Sequence, residues 1–157
     1  MNTIKRFFAA QLLLALLITN VAHGQTIFKV RATTMEPAQQ AAYIFELSFD
    51  SDVSSTSQIE IVFPPAFNLN NAVLAASEKI DGMLTAKAVK SSLVIKRVQP
   101  QNPIKAGERV DIKVASILNP NVMDQDWTFK VIVRDGQREL GQKVLSTKIE
   151  QFTKANR

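Results

Sequence analysis

Two pairs of aspartates are the residues whose type and spacing could do chemistry. Asp50 and Asp52, and likewise Asp124 and Asp126, stand one residue apart in predicted loops. Calcium takes about six to eight oxygen ligands, so each pair could contribute carboxylates to a calcium site. Neither run continues into a recognised calcium-loop motif, and we interpret these acids mainly as groups that keep loops solvated and blunt sheet edges. Paired carboxylates could also hydrolyse glycosides, but nothing in the sequence places these four around a cleft.

The single histidine of the sequence is His23, and there is no cysteine. Ser-His-acid and Cys-His nucleophilic sites need an imidazole, and ordinary zinc and copper sites need imidazole or thiolate ligands. None of these can form if His23 is removed with a processing segment. No serine stands three positions before a lysine, which disfavours a Ser-Lys dyad, and the five glycines are scattered singly. We therefore predict that the chain is not an enzyme and binds no cofactor.

Residues 1–24 are typical of a signal peptide. Lys5 and Arg6 precede an apolar run over residues 7–18, which is too short to span a bilayer as a helix. Small residues stand at the first and third positions before the bond between Gly24 and Gln25, and we predict cleavage there. An uncleaved anchor is the alternative. With cleavage, the protein is exported, either to a periplasm or to the extracellular space or cell surface.

The mature chain then runs over residues 25–157, as one domain with a short polar C-terminal tail. It is long enough to bury a core without disulfides, and it offers no cysteine for lipid attachment. Two of the 19 basic residues belong to the signal peptide, so 17 remain beside 14 acidic residues. Because the basic residues do not cluster with aromatic ones, we predict no nucleic-acid partner. We also predict no integral membrane span after processing.

Period-two alternation recurs through the mature chain, whereas helical periodicity is almost absent. In the clearest run, Tyr43, Phe45, Leu47 and Phe49 share one face. The other predicted strands cover residues 26–33, 58–63, 83–89, 93–98, 110–114, 127–134 and part of 140–150. The total is about eight strands. The exception is the alanine-containing stretch 70–79, for which we predict at most one or two turns of helix.

Turn residues separate these runs. Asp81-Gly82, Ala106-Gly107 and Asn119-Pro120 mark loops, and Asp135-Gly136 is the best hairpin signal. Prolines stand at positions 64, 65, 100 and 103, where we expect crossovers between sheets. The pattern predicts an all-β fold, a two-sheet antiparallel sandwich, with a closed barrel as the alternative.

Five short motifs follow one another over residues 41–136. They are Tyr43-Ile44-Phe45, Ile61-Val62-Phe63-Pro64 with Phe67, Lys105-Ala106-Gly107-Glu108, Ile117-Leu118-Asn119-Pro120 and Trp127-Thr128-Phe129. In these motifs the chain resembles Ig-like β-sandwich modules of bacterial and archaeal exported and surface proteins. The resemblance implies an Ig-like sandwich that serves as a structural or binding module, and it brings no functional site. Since only one copy is present, we favour assembly with other chains.

We therefore predict a non-enzymatic extracytoplasmic sandwich that acts through protein-protein contacts in an envelope or surface assembly. Exposed sheet edges would be its natural docking elements. The alternative is a carbohydrate- or small-ligand-binding module, which would need exposed aromatic residues in loops. Phe67, Trp127 and Phe152 are its candidates, although the phase of Trp127 matches that of Phe129 and places it in the core.

Overall fold

A computed structural model describes residues 25–153 and shows a β-sandwich of ten strands within that range. The strands are β1 (Gln25–Ala32), β2 (Gln40–Phe49), β3 (Gln58–Val62), β4 (Ala75–Ala76), β5 (Met83–Val89), β6 (Ser92–Val98), β7 (Val110–Leu118), β8 (Asp126–Asp135), β9 (Arg138–Lys148) and β10 (Glu150–Gln151). Within the same range, no helix is long and apolar enough to span a membrane. The predicted signal peptide lies outside the described residues.

Two five-stranded sheets form the layers. The first sheet has the order β10-β1-β2-β7-β4 and the second has the order β5-β6-β3-β8-β9. Every pairing is antiparallel except the short parallel one between β1 and β10. The predicted two-sheet sandwich is thus confirmed, and the closed barrel is not formed. The chain crosses between the sheets where the prolines of residues 64–65 and 100–103 interrupt pairing.

All eight predicted strands are present, with boundaries shifted by a few residues. The predicted helical turns over residues 70–79 are wrong. Ala75 and Ala76 instead pair with β7, and the carbonyl oxygen of Leu74 accepts a hydrogen bond from the amide of Ala115. So short a helix is marginal without packing, and here the edge of β7 provides hydrogen-bond partners for the backbone of residues 74–76. The short strands β4 and β10 were not predicted, because two residues show no alternation.

The core lies between the sheets and is centred on aromatic rings. Phe63 contacts Tyr43, Phe45 and Phe129 edge to face, with ring centroids 5.4–6.0 Å apart. Phe67 continues the cluster and lies 5.0 Å from Trp127. The predicted inward face of β2 is therefore confirmed, and such ring pairs stabilise the fold beyond the area that they bury.

The sandwich has two loop ends. We call the end formed by residues 50–57 and 99–109 the upper end, and the end formed by residues 33–39 and 119–125 the lower end. They are opposite because β2 and β7 are antiparallel, so that the end of β2 lies beside the start of β7 and far from its last residues. The predicted hairpin at Asp135-Gly136 joins β8 to β9, with Gly136 at a positive φ of 58°.

Candidate functional site

The two aspartate pairs lie at opposite ends of the sandwich, so they cannot share one ion. Asp50 and Asp52 belong to the upper end, whereas Asp124 belongs to the lower end and Asp126 begins β8 beside it. Among the described residues, no group of three or more acidic, histidine or cysteine side chains is placed to hold a metal. The interpretation that these acids keep loops solvated stays a prediction, and calcium titration would test the alternative of a calcium site.

The side chain of Asp52 connects two loops of the upper end. Its carboxylate accepts hydrogen bonds from the Lys105 ammonium and the Ala106 amide, both at 2.9 Å. These bonds, the Lys105 bond foremost, hold the pKa of Asp52 below its usual value. The carboxylate therefore fastens two loops of the upper end to each other.

Arg97 and Asp81 fasten the same end from the second sheet. The guanidinium of Arg97 donates hydrogen bonds to the carbonyl oxygens of Val53, Ser54 and Asn102. Desolvation by burial lowers the pKa of Arg97 from its usual value. The carboxylate of Asp81 accepts bonds from the amides of residues 101 and 102 at 2.7 and 2.8 Å. The charged groups of the upper end thus hold loops together.

The aromatic residues needed for a sugar-binding platform are mostly inside the protein. Trp127 is only 8% exposed, and its indole nitrogen donates to the carbonyl oxygen of Met123. Phe67 is also buried. Phe152 remains partly exposed on the first sheet, where the Arg31 guanidinium lies 5.2 Å from its ring centroid. The core position expected for Trp127 is confirmed, which leaves Phe152 as the one candidate with an exposed part.

A shallow cleft of about 400 Å³ opens at the lower end. Its wall includes Met35, Val122 and Ile149, which are apolar. An ion pair between Lys148 and Asp124, with nitrogen and oxygen 3.2 Å apart, lies at its rim. The cleft could accept a small apolar group, but it presents no aromatic ring to a sugar.

The exposed apolar side chains concentrate at one margin of the second sheet. Eight large hydrophobic residues are exposed among the described residues, and five of them lie on the β5-β6 hairpin or on the segment just before β4. These five are Val73, Leu74, Met83, Val89 and Val98. Leu74 and Met83 are 66% and 67% exposed. Exposed apolar side chains mark an interaction site where they lie next to one another on the surface.

Strand register brings several of these residues side by side. Met83 lies directly opposite Val98, and Leu74 forms an antiparallel bridge with Thr85. Directly opposite residues point to the same face with Cβ atoms about 4.5–5.5 Å apart, and residues two apart in a strand share a face. Leu74, Met83 and Val98 therefore form one strip on the outer face of the second sheet.

The hairpin presents this strip because its other face is in the core. Leu84 is buried, and Ala86 and Ala88 pack against the core, so the intervening residues of β5 point outward. The turn at residues 90–91 is tight, with Lys90 at a φ of +55°. We call the outward residues the β5-β6 face: Leu74, Met83, Thr85, Lys87, Val89, Val94, Lys96 and Val98.

A second edge strand lies at the other margin of the same sheet. Strand β9 is the last in the order, and it exposes Leu140 and Val144. Sequence reasoning singled out sheet edges in general but neither margin in particular. The signal for the β5-β6 face was present, since the run from Met83 to Val89 places methionine and valine in the outward phase.

Comparison with known proteins gives likenesses in structure only. No protein-family model matches the chain, and no curated protein matches it. A cohesin module from a family 33 glycoside hydrolase of Clostridium perfringens ATCC13124 is similar, with a TM-score of 0.46, 15% identity, and coverage of 81% of this chain and 99% of that chain. A collagen-binding domain from a Staphylococcus aureus adhesin has a TM-score of 0.38, 9% identity, and coverage of 80% and 97%. At these identities neither likeness assigns a ligand or partner to this chain.

Proposed function

We propose that this protein is an exported, non-enzymatic β-sandwich that acts through protein-protein contacts, as a subunit or accessory of an envelope or surface assembly. The observation that carries the proposal is the concentration of exposed leucine, methionine and valine side chains on the β5-β6 face. In a sandwich with no partner, polar residues at these positions would be more favourable in contact with water. Its assignment to the Ig-like modules of exported proteins is part of the same proposal.

Export is supported by the sequence of residues 1–24, in which Lys5 and Arg6 precede an apolar run and small residues stand at positions 22 and 24. The histidine-free and cysteine-free mature chain gives the non-enzymatic part of the proposal its chemical basis.

A second candidate function is the binding of a small apolar ligand in the cleft at the lower end. The favouring observation is the apolar wall that includes Met35, Val122 and Ile149 beside the Lys148–Asp124 ion pair. This candidate predicts saturable binding of a small hydrophobic probe, which Val122→Asp would abolish.

Purification of the tagged protein from its native envelope in mild detergent tests the leading proposal. We expect a protein partner at comparable stoichiometry with the wild type and with Val144→Asp, which changes an exposed valine on β9. The double variant Leu74→Asp with Met83→Asp should lose that partner. A wild-type protein that purifies alone and monomeric would contradict the proposal.

A further inference from the structure

We infer that the β5-β6 face binds an extended acidic segment of another protein, in which carboxylate side chains alternate with apolar ones. This inference rests on the proposed function and specifies the chemistry of the partner. It follows from the charge on the hairpin, from the open edge of β5 and from the absence of aromatic rings on the face.

The charge on this part of the chain has one sign only. Residues 82–107 contain five basic residues and no acidic residue. Of these, Arg97 is engaged with backbone carbonyl groups and Lys105 pairs with Asp52. Lys87, Lys90 and Lys96 form no ion pair with any of the described residues. Carboxylates of a partner would supply the negative charges that these three lysines lack.

The lysines stand among the apolar residues in a regular pattern. Lys87 lies opposite Val94 and between Thr85 and Val89 on the outward face of β5. Lys96 lies two residues from Val98 on β6. A partner strand with the same period of two would place apolar side chains on the apolar positions and carboxylates beside the ammonium groups.

The outer edge of β5 is open to such a strand. Leu74 already pairs with Thr85 there as an isolated antiparallel bridge, and the rest of the edge has no backbone partner among residues 25–153. Backbone groups at residues 87–89 are therefore open to pairing with the partner segment where it passes the edge of β5, which gives affinity while the side chains on the face give specificity.

Other occupants fit the face less well. A second copy that paired antiparallel with the β5 edge over residues 87–89 would bring the two copies of Lys87 close together, and like charges in opposition destabilise strand pairing. A sugar would need an aromatic ring for stacking, and the exposed large side chains of the face are aliphatic.

Site-specific photo-crosslinking in the native host tests the inference. The photoreactive residue p-benzoylphenylalanine replaces Met83 in one full-length variant and Val144, on β9, in a control. We expect Met83→p-benzoylphenylalanine to form an adduct with a protein segment in which Asp and Glu outnumber Lys and Arg. Adding Lys87→Glu and Lys96→Glu should lower the adduct yield about tenfold, whereas Lys143→Glu on β9 should leave it unchanged.

The other outcomes separate the inference from the proposed function. An adduct from position 144 alone would overturn the inference and leave the proposed function standing. An adduct from position 83 on a basic or neutral segment, on a lipid or on a second copy of this chain would also overturn the inference. No adduct from either position would overturn both. Matching unfolding midpoints of the purified variants would show that loss of an adduct is not loss of fold.

Discussion

At the scale of single residues, Asn119 explains why an Asn-Pro motif ends β7. Its amide oxygen accepts a hydrogen bond of 2.5 Å from the buried hydroxyl group of Tyr43, and its amide nitrogen donates to the carbonyl oxygens of Thr34 and Glu36. Burial raises the pKa of Tyr43 above its usual value, so the phenol stays protonated and remains a donor. One side chain therefore ties a core tyrosine to the loop of the lower end.

We expect Asn119→Ala to lower the free energy of unfolding by about 2 kcal/mol, because it leaves the buried tyrosine hydroxyl group without an acceptor. Urea denaturation would measure the change. In a Tyr43→Phe background, Asn119→Ala should lower the free energy of unfolding by less than it does in the wild type, because no hydroxyl group is left without an acceptor. Equal costs in the two backgrounds would show that the Tyr43–Asn119 bond has no energetic role.

Asp81 gives a prediction about acid stability. Hydrogen bonds from the amides of Gln101 and Asn102 hold its pKa below the usual value. A carboxyl group whose pKa is lower in the folded state stabilises the fold above its unfolded-state pKa, and this contribution is lost as the pH falls through the folded-state pKa. The urea midpoint of Asp81→Asn should thus be lower than that of the wild type at pH 7, with the difference shrinking below about pH 4. A constant difference down to pH 2 would contradict this assignment.

At the scale of elements, the loop before β5 sets the position of the β5-β6 face. Gly82 has a φ of +88°, and a Cβ atom there would lie 3.0 Å from the Val98 carbonyl oxygen and 3.1 Å from the Pro100 Cα atom. Gly107 also has a positive φ, of 74°, but a Cβ atom would meet nothing within 4 Å. A side chain at Gly107 would therefore meet backbone strain alone, whereas a side chain at Gly82 would meet both backbone strain and a close contact.

We expect Gly107→Ala to cost about 1 kcal/mol of stability and Gly82→Ala about 3 kcal/mol, because only the second adds a backbone clash to the positive φ. Thermal or urea unfolding of the two variants would measure both costs. Gly82→Ala should also weaken partner binding by shifting Met83, which follows it directly. Similar costs for the two variants would show that the approach to Val98 is relieved easily.

The elements also show where sequence reasoning works and where it stops. Alternation predicted the long strands because a buried face forces a period of two on residues such as Tyr43 and Phe45. It missed β4, where Ala75 and Ala76 are strand residues only because β7 lies beside them. Alternation shows the outward phase of Met83 and Val89, but it does not show that Leu74 joins the β5-β6 face, because that depends on the bridge between Leu74 and Thr85.

At the scale of the whole molecule, charge is divided unevenly over the fold. The basic excess is concentrated at residues 82–107, so the remainder of residues 25–157 has more acidic than basic residues. Such a division favours an oriented encounter with an acidic partner and makes its rate sensitive to salt. The overall composition could not predict this, because a mild net charge hides a one-sided distribution.

The processing of the chain is the last property that belongs to the whole molecule. The mature protein should begin at Gln25, because small residues are needed at the first and third positions before the cut and Gly24 and Ala22 occupy them. Gly24→Leu should therefore leave a precursor that is longer by the signal peptide, whereas His23→Leu, at the position between them, should be processed normally. Intact mass and N-terminal sequencing of the protein from its native host would measure both variants. A wild-type protein that keeps residues 1–24 would instead be anchored by its apolar run, and assembly would then take place at the membrane surface.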